Sequence, residues 1–169
     1  MAKSDTLIVA AVRSNGLIGR AIEWWGGGGW SHFTTLLPGG REVIDARSDR
    51  VLGVPAGVQV RPVAYLADYE CLWLAIPTTA NKTALAYGAL RSQLGKPYDR
   101  AGIIAFATGD GRDRNWRDES AWFCSELAVW ALEQAGVCPQ LPMPGYKITP
   151  GDALLIAGAL GGQRIRGPF

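Results

Sequence analysis

The sequence predicts an α+β fold, with an antiparallel sheet encoded mainly in the first half and helices in the second. Three observations predict it. The early apolar runs are short and separated by Pro/Gly turn signals. Their links are hairpin-short, as antiparallel neighbours allow. Beyond Pro77 the apolar period lengthens from that of a strand to that of a helix.

Taken in order, Thr6 to Val12 reads as a first buried strand. Asn15 to Trp25 carries Leu17, Ile18, Ile22 and Trp25 at helical spacing, and Gly26 to Gly29 breaks the pattern. Ser31 to Leu37 and Arg41 to Ala46 are strand candidates joined by Pro38-Gly39-Gly40. Val51 to Val54 and Val58 to Val63 are shorter ones around Pro55-Ala56-Gly57. Cys71 to Ile76 is a compact apolar run ended by Pro77 and reads as a central strand. Thr79 to Leu94 then shows helical periodicity, with Gly95 as its stop. Ile103 to Ala107 is apolar, and Gly109 to Glu119 is a charged loop. Cys124 to Ala135 is an amphipathic helix ended by Gly136. Pro139, Pro142, Pro144 and Pro150 mark a loop, followed by the short apolar stretch Ala153 to Leu160.

Composition narrows the function classes. The 169 residues suit a single domain with a real core, and we expect one over 1–169. A net charge of +2 is too small to argue for nucleic acid or an anionic membrane surface as partner. No apolar run approaches the roughly 20 residues of a membrane span. The apolar run after Thr6 stops at Arg13, short of the roughly 7–15 residues of a signal core, and Asp5 precedes it. A cytoplasmic protein is the expectation. Cys71, Cys124 and Cys138 are odd in number and show no paired spacing, so neither a disulfide framework nor a metal site is expected. No cofactor is expected either, and oligomeric state stays open. The glycines after Trp25 lack the GxxxxGK[ST] pattern of a phosphate loop.

The chain holds one histidine, His32. Cys124 sits at a helix start, where N–H groups and the macrodipole favour a thiolate. If Cys124 is a nucleophile, His32 is the only imidazole available as its base. A buried packing cysteine is the competing reading, since Leu127, Val129 and Leu132 share the helix. Glu126, in the first turn, works against a strongly depressed thiol pKa. With a two-residue loop at Pro38-Gly39, Leu37 faces Gly40 and His32 lies directly opposite Asp45. That carboxylate would fix the imidazole tautomer, whereas Glu42 has the opposite parity. The tract Trp24 to His32 has two readings: glycines that let the chain turn sharply, or aromatic walls of a cleft in which Trp30 contacts substrate.

Several strings resemble a known family. Leu94-Gly95-Lys96-Pro97-Tyr98-Asp99 and Phe123-Cys124-Ser125-Glu126-Leu127 are similar to segments of NlpC-type papain-like cysteine peptidases. Ser31-His32-Phe33 and Val43-Ile44-Asp45-Ala46 resemble their histidine strand and the strand that carries the third polar member. Here histidine precedes cysteine, as in the circularly permuted, YiiX-like branch. The resemblance spans roughly Ser31 to Asp152. Phe33 and Thr34 replace the usual small and aliphatic residues, and Asp45 stands where Glu is frequent. The resemblance implies a permuted papain-like fold, with a sheet or small barrel packed on the nucleophile helix and a second helix. It also implies a Cys124–His32–Asp45 triad, an oxyanion donor in the Cys124 N–H, and a substrate contact at Tyr98. The implied activity is cysteine-dependent hydrolysis of a small peptide or acyl-amide substrate, including cell-wall-type peptides. A thioester acyltransferase or lipid hydrolase, and a non-catalytic module on the same scaffold, are the alternatives.

Overall fold

The computed structural model describes residues 4–13, 29–101, 115–142 and 148–168. The helix expected over Asn15 to Trp25 and the run Ile103 to Ala107 lie outside them. Six antiparallel strands form one open sheet: β1 (Ser4–Arg13), β2 (His32–Leu36), β3 (Glu42–Arg47), β4 (Gly57–Pro62), β5 (Glu70–Thr79) and β6 (Gln163–Ile165). Their order is β4-β3-β2-β1-β5-β6, with β4 and β6 at the edges. Helices α1 (Ala80–Ser92), α2 (Cys124–Gln134) and α3 (Pro150–Ala159) complete an α+β architecture. None of the described helices is long and apolar enough to cross a membrane.

Alternation divides the sheet into two faces. Val9, Ala11, Phe33, Ile44 and Ile76 point toward the helices and share a core with Ala86, Leu127 and Ala157. Val12, Leu36, Val43 and Trp73 point the other way, under Val63, Tyr65 and Leu66. Those three belong to a 3-10 turn, Val63–Leu66, that follows β4 directly. Pairing with Val12 puts His32 on this second face, and strand parity puts Asp45 and Arg61 there as well.

Local chemistry explains where the elements differ from expectation. Val51 to Val54 is not a strand. It is a tight turn closed by reciprocal Val51–Val54 hydrogen bonds, with positive φ at Leu52 and Gly53. β5 runs through Pro77, because β6 covers β5 only at Trp73–Ala75 and leaves it open on one side further along. The Pro150 stretch begins a helix rather than continuing a loop. Pro150 occupies the first turn, and Thr149 and Asp152 form a reciprocal capping box.

The β2–β3 hairpin corrects the expected register. Leu37 N–H donates to Glu42 O and Gly40 N–H to Leu37 O, so the loop holds four residues, Pro38 to Arg41, rather than two. Pro38 followed by Gly39 at φ 95° suits a type II turn at this point. Thr35 therefore pairs with Ile44 and Leu36 with Val43. Asp45 falls two residues from the position directly opposite His32. A shift of two preserves the face, because side chains repeat every second residue.

Candidate functional site

The ladder between β2 and β3 contains only the pairs Thr35–Ile44 and Leu36–Val43. Beyond them the two strands part, and Thr34 Oγ1 reaches Ile44 O at 3.5 Å instead. His32 and Asp45 occupy the parted ends. His32 Nε2 lies 2.8 Å from Asp45 Oδ2, a diagonal contact that survives the two-residue shift. Both residues are buried.

Asp45 is the hub of a cluster. Its Oδ2 also accepts from Tyr65 Oη, and its Oδ1 accepts from Arg61 Nη1. The same Arg61 nitrogen donates to the Asp45 main-chain oxygen at 3.2 Å. Arg61 Nη2 donates to Pro55 O at 2.8 Å and to Gly57 O at 3.2 Å. Burial pushes the Asp45 carboxyl up. The charge and hydrogen bond of His32, the charge of Arg61 and the Tyr65 hydroxyl outweigh it and hold Asp45 at about 2. An ionised carboxylate accepts only, so Nε2 carries the ring proton and Nδ1 is the unprotonated nitrogen of neutral His32. Burial lowers the His32 pKa; Asp45 opposes that effect, while Arg47 and Arg61 reinforce it. Tyr65 stays a neutral donor, because burial, with the Asp45 charge, raises its pKa well above normal.

Arg61 and Tyr65 are absent from the sequence-based site. The signal for Arg61 was a lone arginine in the alternating run Gly57-Val58-Gln59-Val60-Arg61. A charge on a strand face next to Asp45 calls for a partner once β4 is paired with β3. Tyr65 carried no such signal, because a 3-10 turn was not expected at Val63–Leu66.

Cys124 opens α2 and is buried, at 1% exposure. Its sulfur faces the main-chain N–H of Phe33, the residue after His32, where the β2–β3 ladder has ended. The thiolate expected at the helix start is not favoured. Burial pushes the thiol up to about 12, against the N–H groups of Phe33 and Ser125, and the Asp45 charge adds to the rise. Among the described residues, no hydrogen bond joins Cys124 to His32. The histidine and the carboxylate are therefore brought into contact, and the thiol is brought to the histidine strand.

Tyr98 is placed by two neighbours. Trp122 N–H donates to Pro97 O and Asp99 N–H to Trp122 O, each at 3.0 Å, so residues 97–99 form a short parallel bridge beside the α2 start. The Tyr98 ring packs 5.7 Å from that of Phe123. Burial raises the phenol pKa well above normal, with Cys124 and Glu126 adding to the rise, so Tyr98 keeps its proton. Gly57 anchors this segment. Its φ is 98°, and a Cβ there would lie 2.5 Å from Lys96 O. Trp30 is half-buried at the end of β1, under the Arg13 guanidinium at 5.2 Å. Trp24 and Trp25 lie outside the described residues.

A cavity of about 310 Å³ opens beside α2, lined by Asp99, Asn115, Trp116, Asp118 and Glu126 among others, but not by Cys124 or His32. The described end of the charged loop is tied down. Arg117 bridges Glu133 at 2.9 and 2.7 Å, and Lys96 reaches Glu119 at 3.2 Å. No group of His, Cys, Asp and Glu among the described residues could hold a metal ion. No protein-family model and no curated protein matches this chain.

Proposed function

We propose that the protein is a cysteine-dependent amide hydrolase of permuted papain-like architecture, with Cys124 as nucleophile, His32 as base and Asp45 as the orienting carboxylate. One observation carries the reading. A buried, ionised carboxylate binds the single histidine through Nε2, with Nδ1 unpartnered among the described residues, on the strand that meets the Cys124 thiol.

The chemistry starts from neutral partners. As the sulfur attacks a substrate carbonyl carbon, the thiol proton passes to His32 Nδ1, and Asp45 stabilises the imidazolium that forms. The carbonyl oxygen takes the negative charge of the tetrahedral intermediate, for which the Cys124 N–H at the start of α2 and the Tyr98 hydroxyl are the proposed donors. Collapse breaks the C–N bond, and His32 returns its proton to the leaving amine. Water then attacks the thioester with His32 again taking a proton, releasing the acid and the Cys124 thiol. Peptides and acyl amides, including those of cell-wall type, are the substrate class; acyl transfer to another acceptor or lipid hydrolysis would use the same thioester.

The burial of Cys124 and its raised pKa favour a second reading, in which the thiol only packs and the chain is a non-catalytic module. Alkylation with iodoacetamide, located by mass spectrometry, separates the two. Under the hydrolase reading, Cys124 labels at a rate that falls at least tenfold in His32→Ala. Equal rates in the two proteins exclude it.

A further inference from the structure

We propose that Arg61 and Tyr65 are positioning residues for Asp45, Arg61 balancing its charge and Tyr65 sharing its Oδ2, so that it orients His32 with a weakened pull on a second ring proton. The proposal deepens the hydrolase reading, which supplies the task that the oriented imidazole performs.

The geometry has two parts. Arg61 is fully buried and is locked by four acceptors besides the carboxylate: the main-chain oxygens of Asp45, Gln59, Pro55 and Gly57. It cannot swing away, so the Asp45 charge is compensated within the fold on Oδ1. On Oδ2, Tyr65 Oη donates beside Nε2 and sits 3.2 Å from that nitrogen. With one oxygen taken by Arg61 and the other shared by two donors, His32 has a single productive orientation, Nε2–H toward Asp45.

A carboxylate next to a histidine ordinarily favours the imidazolium. Here one negative charge meets one positive charge before His32 is counted. A proton on His32 would leave the buried cluster with net positive charge, close to Arg47. The charged and titratable groups that act on the ring are Asp45, Arg47 and Asp49 around β3, Arg61 on β4 and Tyr65 on the 3-10 turn, and Cys124 of α2 lies against the next residue, Phe33. Arg47 and Asp49 pair with each other at 2.9 and 3.0 Å and largely cancel.

Because His32 is the only histidine in the chain, its ring nitrogens are read without assignment ambiguity by 15N NMR of imidazole-labelled protein. At pH 6, where an ordinary imidazole is about three-quarters charged, we expect His32 neutral and protonated on Nε2. Arg61→Gln should raise its titration midpoint by at least one pH unit, and Tyr65→Phe by a smaller amount in the same direction. Val63→Ala loosens the packing of the same face without touching Asp45, and should leave the midpoint in place. A wild-type ring already charged at pH 6 overturns the proposal, as do Tyr65 and Arg61 variants that move the midpoint no further than Val63→Ala. If Arg61→Gln does not fold, the wild-type ring and Tyr65→Phe decide. The titration requires no turnover, so its result stands apart from the alkylation test of the hydrolase reading.

Discussion

A buried imidazole kept neutral makes a thermodynamic prediction whose sign is opposite to that of an ion pair. The perturbation is His32→Gln, and the observable is unfolding free energy against pH. His32 has its pKa lowered in the folded state by burial, which outweighs the attraction of Asp45. The folded protein therefore binds this proton less well than the unfolded chain, whose histidine titrates near 6.5. Its full stability is present above that value and drains away as pH falls below it, because the unfolded state protonates first. The slope is at most about 1.4 kcal/mol per pH unit for one proton, so the loss between pH 7.5 and 5.5 is at most about 1.4 kcal/mol. Urea titrations at several pH values in this window, on wild type and His32→Gln, isolate the term. The difference between the two proteins should narrow or reverse as pH falls. If wild type instead gains stability over His32→Gln on acidification, the folded state binds the proton more tightly and the neutral resting couple is refuted.

Cys124→Ala or His32→Ala should abolish amide turnover with the far-UV spectrum unchanged, whereas Asp45→Ala should leave residual activity and Glu42→Ala, at an exposed position, should be silent; a silent Asp45→Ala would remove that carboxylate from the site. Gly57→Ala should cost about 1–3 kcal/mol in denaturant titration, because a side chain there combines a positive φ with a Cβ 2.5 Å from Lys96 O. A wild-type denaturation midpoint in that variant would show that the close approach relaxes freely.

Much of this arrangement was legible along the chain, and the failures have local causes. Short apolar runs between turn signals marked β1 to β5, and periodicity marked α1 and α2. Parity alone joined His32 to Asp45 and excluded Glu42, even though the loop between their strands was misjudged by two residues. Turn chemistry produced that error, because Pro38-Gly39 serves both a two-residue loop and a longer one. Pro150 misled in the opposite direction: a proline ends helices more visibly than it starts them, and the Thr149–Asp152 cap was the overlooked sign. The three residues of β6 are too few to show a period. Arg61 was hidden because cross-strand neighbours are set by pairing, which a single strand does not reveal. The thiolate expectation failed on burial, which a helix position does not disclose.

The order in which the chain is made adds a consequence to the cluster around Asp45. His32, Asp45, Arg61 and Tyr65 come from one uninterrupted stretch, a meander of strands that each pair with the strand before. Contacts so close in sequence form quickly, so the oriented imidazole can be assembled on the ribosome well before Cys124 is synthesised. Cys124 follows later, on a helix that docks on the other face of the sheet. A nascent chain thus holds the His32–Asp45–Arg61–Tyr65 cluster before the helix that carries Cys124 exists.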